Sequence, residues 1–202
     1  RVVAGRGFGR HRHRDMEILS YVLEGRLSHE ESLGTGATVG PGEVQKMSAG
    51  TGILHSEFNP SPSEPLRFLQ VWMLPERTGL PPTYVRKAFG DADKRDRLKL
   101  IGSRDGRDGS IVIQQDVAVY ASILDPGRTV EHRVMPGRGA WLQVARGSVD
   151  LNGARLVEGD GEYIVHHERE PFGGGQRLED HQQRQPDRVG QQRFLFGIDA
   201  AF

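Results

Sequence analysis

His11-Arg12-His13-Arg14-Asp15-Met16-Glu17 and, further along, Gly50-Thr51-Gly52-Ile53-Leu54-His55-Ser56-Glu57 are the two stretches whose reading decides the fold. If the first is a strand, its two-residue repeat turns His11, His13 and Glu17 to one face; the same parity in the second joins His55 to Glu57. Three imidazoles and a carboxylate then converge. On the first stretch alone a rival reading is a basic surface loop, because Arg10, Arg12 and Arg14 interleave with the histidines. His55 and Glu57, again on one strand face and preceded by glycines, favour convergence on a metal ion.

The chain around these stretches reads as all-β. It has 202 residues, enough for one large or two small domains with a real core. A 7% aromatic share and 27 glycines argue for many turns and short strands rather than long helices. Lys+Arg and Asp+Glu both number 27, and that balance predicts no general attraction to nucleic acid or to membrane surfaces. With no cysteine, disulfides, thiolate zinc sites and thiol catalysis are excluded, so any metal must be held by His and carboxylate. No apolar run approaches the roughly 18–20 residues of a membrane span, and Arg1 to Gly7 has no signal-peptide character. The default is a soluble, cytoplasmic protein.

Taken in order, Gly5-Arg6-Gly7-Phe8-Gly9-Arg10 reads as a loop that lets the backbone approach whatever His11 and His13 bind. Met16 to Leu27 is apolar on both faces, as in a strand inside a barrel or sandwich, and Glu24-Gly25 turns the chain. Ser32 to Gly36 is a loop and Gly40-Pro41-Gly42 a tight turn. Glu43 to Met47 is a short strand, with Val44 alone among polar neighbours and so half exposed. Leu66 to Leu74 returns as a mostly apolar strand. Residues 75–109, rich in proline and charge, read as a surface connector with one strand at Leu98 to Ile101. Strands resume at Ser110–Ile113, Val117–Leu124, Thr129–Val134, Ala140–Val144 and Ser148–Leu151, and Asn152-Gly153 is a strong hairpin signal. Beyond Ile164 the chain is polar and aperiodic, as a disordered tail would be, with Phe194-Leu195-Phe196 its one apolar cluster.

Two related β units are expected, because Tyr21 to Leu27 echoes Leu142 to Val149, and Gly40 to Glu43 echoes Val157 to Asp160. The boundaries are a metal-site unit at 1–88, a connector at 89–109, a second unit without a metal site at 110–163 and the tail at 164–202.

Histidines at i and i+2 on a strand send both rings from one face, and neutral imidazole suits borderline first-row ions. Three neutral ligands and one anion leave positions open for water, oxygen or substrate, unlike closed structural zinc. Such a set is closer to a mononuclear Fe(II) oxygen-activating site.

Gly5, His11, His13 and Glu17 also match the first cupin motif, G-x5-H-x-H-x3-E, and His55 with Asn59 matches the H-x3-N of the second. More narrowly, His13 to Gly25 and Met47 to Glu57 resemble the pirin family, over roughly residues 1–163. The resemblance implies a bicupin of two antiparallel β-barrels. Its N-terminal barrel would bind one divalent metal through the positions of His11, His13, His55 and Glu57. Iron comes first, with manganese, copper, nickel, cobalt or zinc as alternatives. The activity implied is a dioxygenase that cleaves a flavonol such as quercetin with O2, with Glu57 as ligand and proton acceptor. The other activity in the family is that of a metal-binding transcription co-regulator, which would need a protein partner and no turnover. A monomer is expected.

The sequence departs from the family at Arg12, where proline is usual. From the resemblance, strands that precede the position of Arg1 in the family are expected to be lacking, and after residue 163 a Gln/Arg-rich stretch stands where final strands would be expected, as a reading-frame change would produce. An incomplete C-terminal barrel is therefore expected. Glu17 reads as a partner of the ligands rather than a ligand, and His29, beside Glu30 and Glu31, as a solvated surface residue. His132 falls where the second unit would place its first histidine, but Val134 replaces the partner, so that site is lost. His166, His167 and His181 carry no site. Phe8, Met47, Phe68 and Trp72 either wall the pocket or belong to the core, the latter being commoner at strand spacing.

Overall fold

The computed structural model describes residues 1–32, 34, 36–165, 177–178 and 193–201. It divides into two compact units: Arg1–Gly90 with Ile111–Gln115, and Asp91–Ser110 with Asp116–Phe202.

The first unit contains β1 (Gly7–His13), β2 (Glu17–Glu24), β3 (Leu27–Glu31), β4 (Gly36–Val39), β5 (Glu43–Ser48), β6 (Ile53–Phe58), β7 (Arg67–Met73) and β8 (Thr83–Ala88). They form two antiparallel four-stranded sheets, β1-β6-β3-β4 and β7-β2-β5-β8. Val22 of β2 packs with Leu27, Val39 and Leu66, while Ile18 and Met47 pack with Ile53 of the other sheet. Apolar side chains from both sheets thus close the interior, and each fully buried one is worth about 1.5–3 kcal/mol. Met47 and Phe68 belong to this packing.

Three local expectations are corrected here. Phe8 to Arg10 is strand rather than loop, because Gly7 lets β1 lie against β6: a Cβ at Gly7 would sit 2.2 Å from the Glu57 carbonyl oxygen. Gly5 and Gly9 have nothing within 4 Å of such an atom. Val44 is fully buried rather than half exposed, since β5 runs between β2 and β8 and its polar neighbours Gln45 and Lys46 find partners inside. Part of the expected connector, Thr83–Ala88, is β8, paired with β5 from Glu43↔Ala88 to Ser48↔Thr83.

The second unit begins with α1 (Asp91–Lys94) and β9 (Lys99–Ser103). After β10 (Ile111–Val112), which groups with the first unit, come β11 (Val117–Leu124), β12 (Val130–Glu131), β13 (Arg138–Arg146), β14 (Ser148–Leu151), β15 (Ala154–Val157), β16 (Gly161–Val165), β17 (Arg177–Leu178) and β18 (Arg193–Ala201). The main sheet runs β9-β11-β18-β13-β16. Leu124, Leu142, Val144, Val149, Leu151 and Leu195 make its core. The hairpin expected at Asn152-Gly153 joins β14 to β15, with both residues at positive φ as a tight two-residue turn requires. At matching places in the two echoing stretches, Gly25 between β2 and β3 and Gly147 between β13 and β14 both take positive φ.

Residues 91–109 are therefore part of a folded unit rather than a connector, because β9 pairs with β11. The tail is corrected too. Arg193–Ala201 pairs with β11 from Leu124↔Arg193 to Val117↔Ala200 and with β13 on its other side, so this part of the expected tail is a central strand. His166, His167 and His181, with Leu33 and Thr35 of the expected loop, lie outside the described residues.

Candidate metal centre

β1 and β6 are antiparallel neighbours with His11 opposite His55 and His13 opposite Ile53. Directly opposed residues project from one face of a sheet, so the pairing itself brings the histidine pair of β1 to His55 of β6. The arginines alternate outward: Arg10 and Arg12 are exposed, whereas His11 and His13 are half-buried and His55 is buried. One nitrogen each of His11, His13 and His55 lies within 4.8 Å of the others, and among the described residues this is the group with metal-ligand spacing. The rings stand at centroid distances of 4.4 Å (His11–His55), 4.7 Å (His11–His13) and 5.0 Å (His13–His55).

The donor set fits a metal. His11 Nδ1 lies 2.7 Å from the Gly9 carbonyl oxygen, which can only accept, so Nδ1 carries the proton and the lone pair of the neutral ring is on Nε2. That Nε2 faces His55 Nε2 at 3.0 Å, and two nitrogens about 2.1 Å from one ion at right angles are themselves about 3 Å apart. Burial, then the charges of His11, His29 and His13, push the His55 imidazole down to about 3. Burial and His11 also lower His13. His13 and His55 are therefore held neutral, the form that ligates.

Glu57, on the same strand as His55, is buried but stands outside the group of three imidazoles. Its Oε1 accepts from Gln45 Nε2 at 2.7 Å and its Oε2 from Gln70 Nε2 at 2.8 Å. Gln70 in turn accepts from Trp72 Nε1 at 3.0 Å, and Tyr84 donates its hydroxyl to Gln45 Oε1 at 3.1 Å. Each amide is thereby oriented with its N–H towards the carboxylate. Burial still raises the Glu57 carboxyl above its ordinary value, opposed by the Gln70 and Gln45 hydrogen bonds.

Glu17 is not a partner of the ligands. It lies at the start of β2 in the other sheet, fully buried, with Lys46 Nζ 2.9 Å from its carboxylate and the Gln114 amide donating to it at 3.1 Å. His29 is a second correction: it is 1% exposed rather than solvated. It stands opposite Glu57 in the β3–β6 register, its ring 5.1 Å from that of His55 and stacked on Tyr84 at 5.0 Å. In β3, Glu30 takes the exposed side and His29 and Glu31 turn inward, so the acidic neighbours that suggest a surface say nothing about the face His29 occupies. Trp72, expected as wall or core, is a wall: 53% exposed, with its ring edge-on to His13 at 4.9 Å. Phe8 is exposed on β1.

In the second unit His132 bonds Asp199 at 2.7 Å, and Arg138 bonds both Asp199 and Asp116. Burial would raise the Asp199 carboxyl, but these hydrogen bonds and the Arg138 charge outweigh it and hold it low. His132 is thus committed to a hydrogen bond with Asp199, with apolar Val134 in the place of a second ligand.

Two cupin-type β units, of which the first carries converged imidazoles and a buried carboxylate, define a bicupin with a site of metal-binding type. Residues 1–73 match the Pirin family and residues 100–177 the quercetinase C-terminal cupin domain. The chain belongs to the pirin family. It is 44% identical over 160 residues to the quercetin 2,3-dioxygenase of Escherichia coli, an alignment covering 79% of this chain and 68% of that protein. The Escherichia coli pirin YhhW in complex with nickel(II) has a TM-score of 0.83 to it at 37% identity, over 98% of this chain and 78% of the other. A quercetin 2,3-dioxygenase structure from Acinetobacter baumannii shares the fold at 23% identity, with a TM-score of 0.73 over 96% of this chain and 68% of that one. No helix among the described residues is long and apolar enough to cross a membrane.

Proposed function

We propose that the first unit holds one divalent first-row metal ion, iron by preference, through His11, His13 and His55 with Glu57 as the anionic member, and that it opens a flavonol such as quercetin with O2. The observation that carries this reading is the converged imidazole cluster beside a buried carboxylate. Support comes from the relatives named quercetin 2,3-dioxygenase, and the nickel held by the Escherichia coli pirin makes the choice of ion a matter for measurement. When bound, the ion would lower the pKa of a ligating substrate hydroxyl and bring oxygen beside it.

The chain's own residues do the rest. Trp72, edge-on to His13 and open to solvent, offers an aromatic wall against which a planar substrate stacks. Glu57, its carboxyl raised by burial, is a base with an affinity for protons above that of an ordinary carboxylate and takes the substrate's hydroxyl proton. Gln45 and Gln70 hold it in place while it does so.

The test is to load the protein anaerobically with Fe(II), Mn(II), Ni(II) or Cu(II), add quercetin and admit oxygen. Consumption of the flavonol with at least one ion, lost in His13→Ala, is the expected result. No consumption with any ion sinks the enzymatic reading, and no stoichiometric metal in the unmutated protein sinks the site.

A further inference from the structure

Both ring nitrogens of His29 and the Nδ1 of His55 are buried without a hydrogen-bond partner. His11 has its Nδ1 held by the Gly9 carbonyl, so the two rings that face each other at the cluster differ: one is anchored by backbone and the other is not. A histidine that ligates metal through one nitrogen is ordinarily oriented through the other. A polar side chain in ring contact with His55 that is not part of the three-imidazole group is His29, T-shaped at 5.1 Å and 73°.

Packing alone does not select an imidazole at this position. A side chain with two unengaged nitrogens costs desolvation that leucine or phenylalanine would avoid. His29 is itself fixed from behind. It stacks on Tyr84 at an interplanar angle of 25°, the Tyr84 hydroxyl donates to Gln45, and Gln45 donates to Glu57. A continuous line of contacts therefore runs from His55 through His29, Tyr84 and Gln45 to Glu57.

We propose that His29 is a positioning residue, which sets the tilt of the His55 ring and couples it through Tyr84 and Gln45 to the carboxylate of Glu57. The proposal rests on the metal reading of the site. It assigns His29 no contact with ion or substrate.

His29→Leu separates a positioning role from a structural one, because it removes both buried nitrogens while leaving an apolar side chain to fill the space. The metal-free melting temperature should stay the same or rise. Affinity for Co(II), used alone as the probe, should fall 10- to 100-fold, the usual range for losing a residue that orients a ligand. The visible ligand-field spectrum of bound Co(II) should shift with it. His29→Gln, which keeps a polar group, should recover most of the affinity, and Tyr84→Phe should move the spectrum without abolishing binding. Wild-type affinity and spectrum in His29→Leu overturn the proposal. So does a collapse of the metal-free melting temperature in both His29 variants, which would assign the residue to packing. If the unmutated protein takes up no Co(II), the metal reading fails and this inference with it, a result distinct from one in which the wild type binds and His29→Leu binds equally.

Discussion

The Nε2 atoms of His11 and His55 face one another at 3.0 Å inside the first unit, from residues directly opposite in the β1–β6 register. Two imidazoles so placed resist a shared charge, and burial adds to the resistance. The His55 ring takes a proton in the native state only near 3, against about 6.5 in the unfolded chain. As pH falls from 6.5 towards 3 the unfolded chain therefore gains a proton that the native state does not, and the metal-free protein loses stability over that window. His13, also lowered, acts in the same direction. Glu57 acts oppositely between its raised native value and 4.5, where the native state binds the extra proton. Urea melts of metal-free protein from pH 7.5 to 4 should show a falling midpoint, flatter in His55→Asn and steeper in Glu57→Gln. A flat wild-type profile would refute the assignment.

Gly7 is where β1 can least accept a side chain. A Cβ there would meet the Glu57 carbonyl oxygen at 2.2 Å and Phe58 Cα at 2.4 Å, both backbone atoms that cannot swing aside. Gly7→Ala should cost about 1–3 kcal/mol, the range for forced overpacking, and should weaken metal uptake by prising β1 from β6. Gly9→Ala, with nothing within 4 Å of the added atom, should stay within about 0.5 kcal/mol of wild type. Thermal melts of the pair distinguish a steric requirement from a general need for flexibility.

The cluster was legible in the sequence because it is a matter of parity: His11, His13, His55 and Glu57 obey a two-residue repeat that any strand imposes. His29 was not, for a related reason. An interior that holds polar ligands inverts the rule that inward positions are apolar, and Leu27-Ser28-His29-Glu30-Glu31 offers no hydrophobic alternation from which to read its inner face. Val44 misled in the same way, since Gln45 and Lys46 are polar yet buried. β18 was missed because its polar surroundings in the chain hid it. The apolar cluster around Leu195 was the signal, and pairing with both β11 and β13 is a long-range fact that local composition does not carry.

Gln45 connects two buried polar groups, donating to Glu57 Oε1 at 2.7 Å and accepting from the Tyr84 hydroxyl at 3.1 Å. Gln45→Leu strands both. With a hydrogen bond to a charged group worth about 1.5–3 kcal/mol and a neutral one about 1, the loss should be about 2–4 kcal/mol at neutral pH. Removing a donor also pushes the Glu57 carboxyl higher, so the deficit should shrink in acid, where Glu57 is protonated in wild type and variant alike. Equal deficits at pH 7.5 and pH 4.5 would show that Glu57 is not the group being served.

Trp72 is half out of the protein, with only its edge against His13 and its Nε1 on Gln70. Trp72→Ala should change the melting temperature little. If the indole is the wall for a planar substrate, KM for quercetin should rise several-fold while metal content is unchanged. An unaltered KM would remove Trp72 from the substrate site.

Glu17 and Lys46 form the ion pair at the far sheet, 2.9 Å apart with side chains 1% and 3% exposed. Neither charge can reach water, so truncating one partner leaves the other uncompensated in a low dielectric, at a cost of about 3–5 kcal/mol. Lys46→Met should therefore be severely destabilising. Replacing both, Glu17→Leu with Lys46→Met, should recover part of the loss, because well-packed apolar groups of similar volume often match a buried pair. Recovery stays incomplete, since the Gln114 amide and the Ser48 hydroxyl lose their acceptor and donor. Glu17 is not among the metal-ligating residues proposed above, so the double variant should bind metal with unchanged stoichiometry. Metal lost from a folded double variant would return Glu17 to the site.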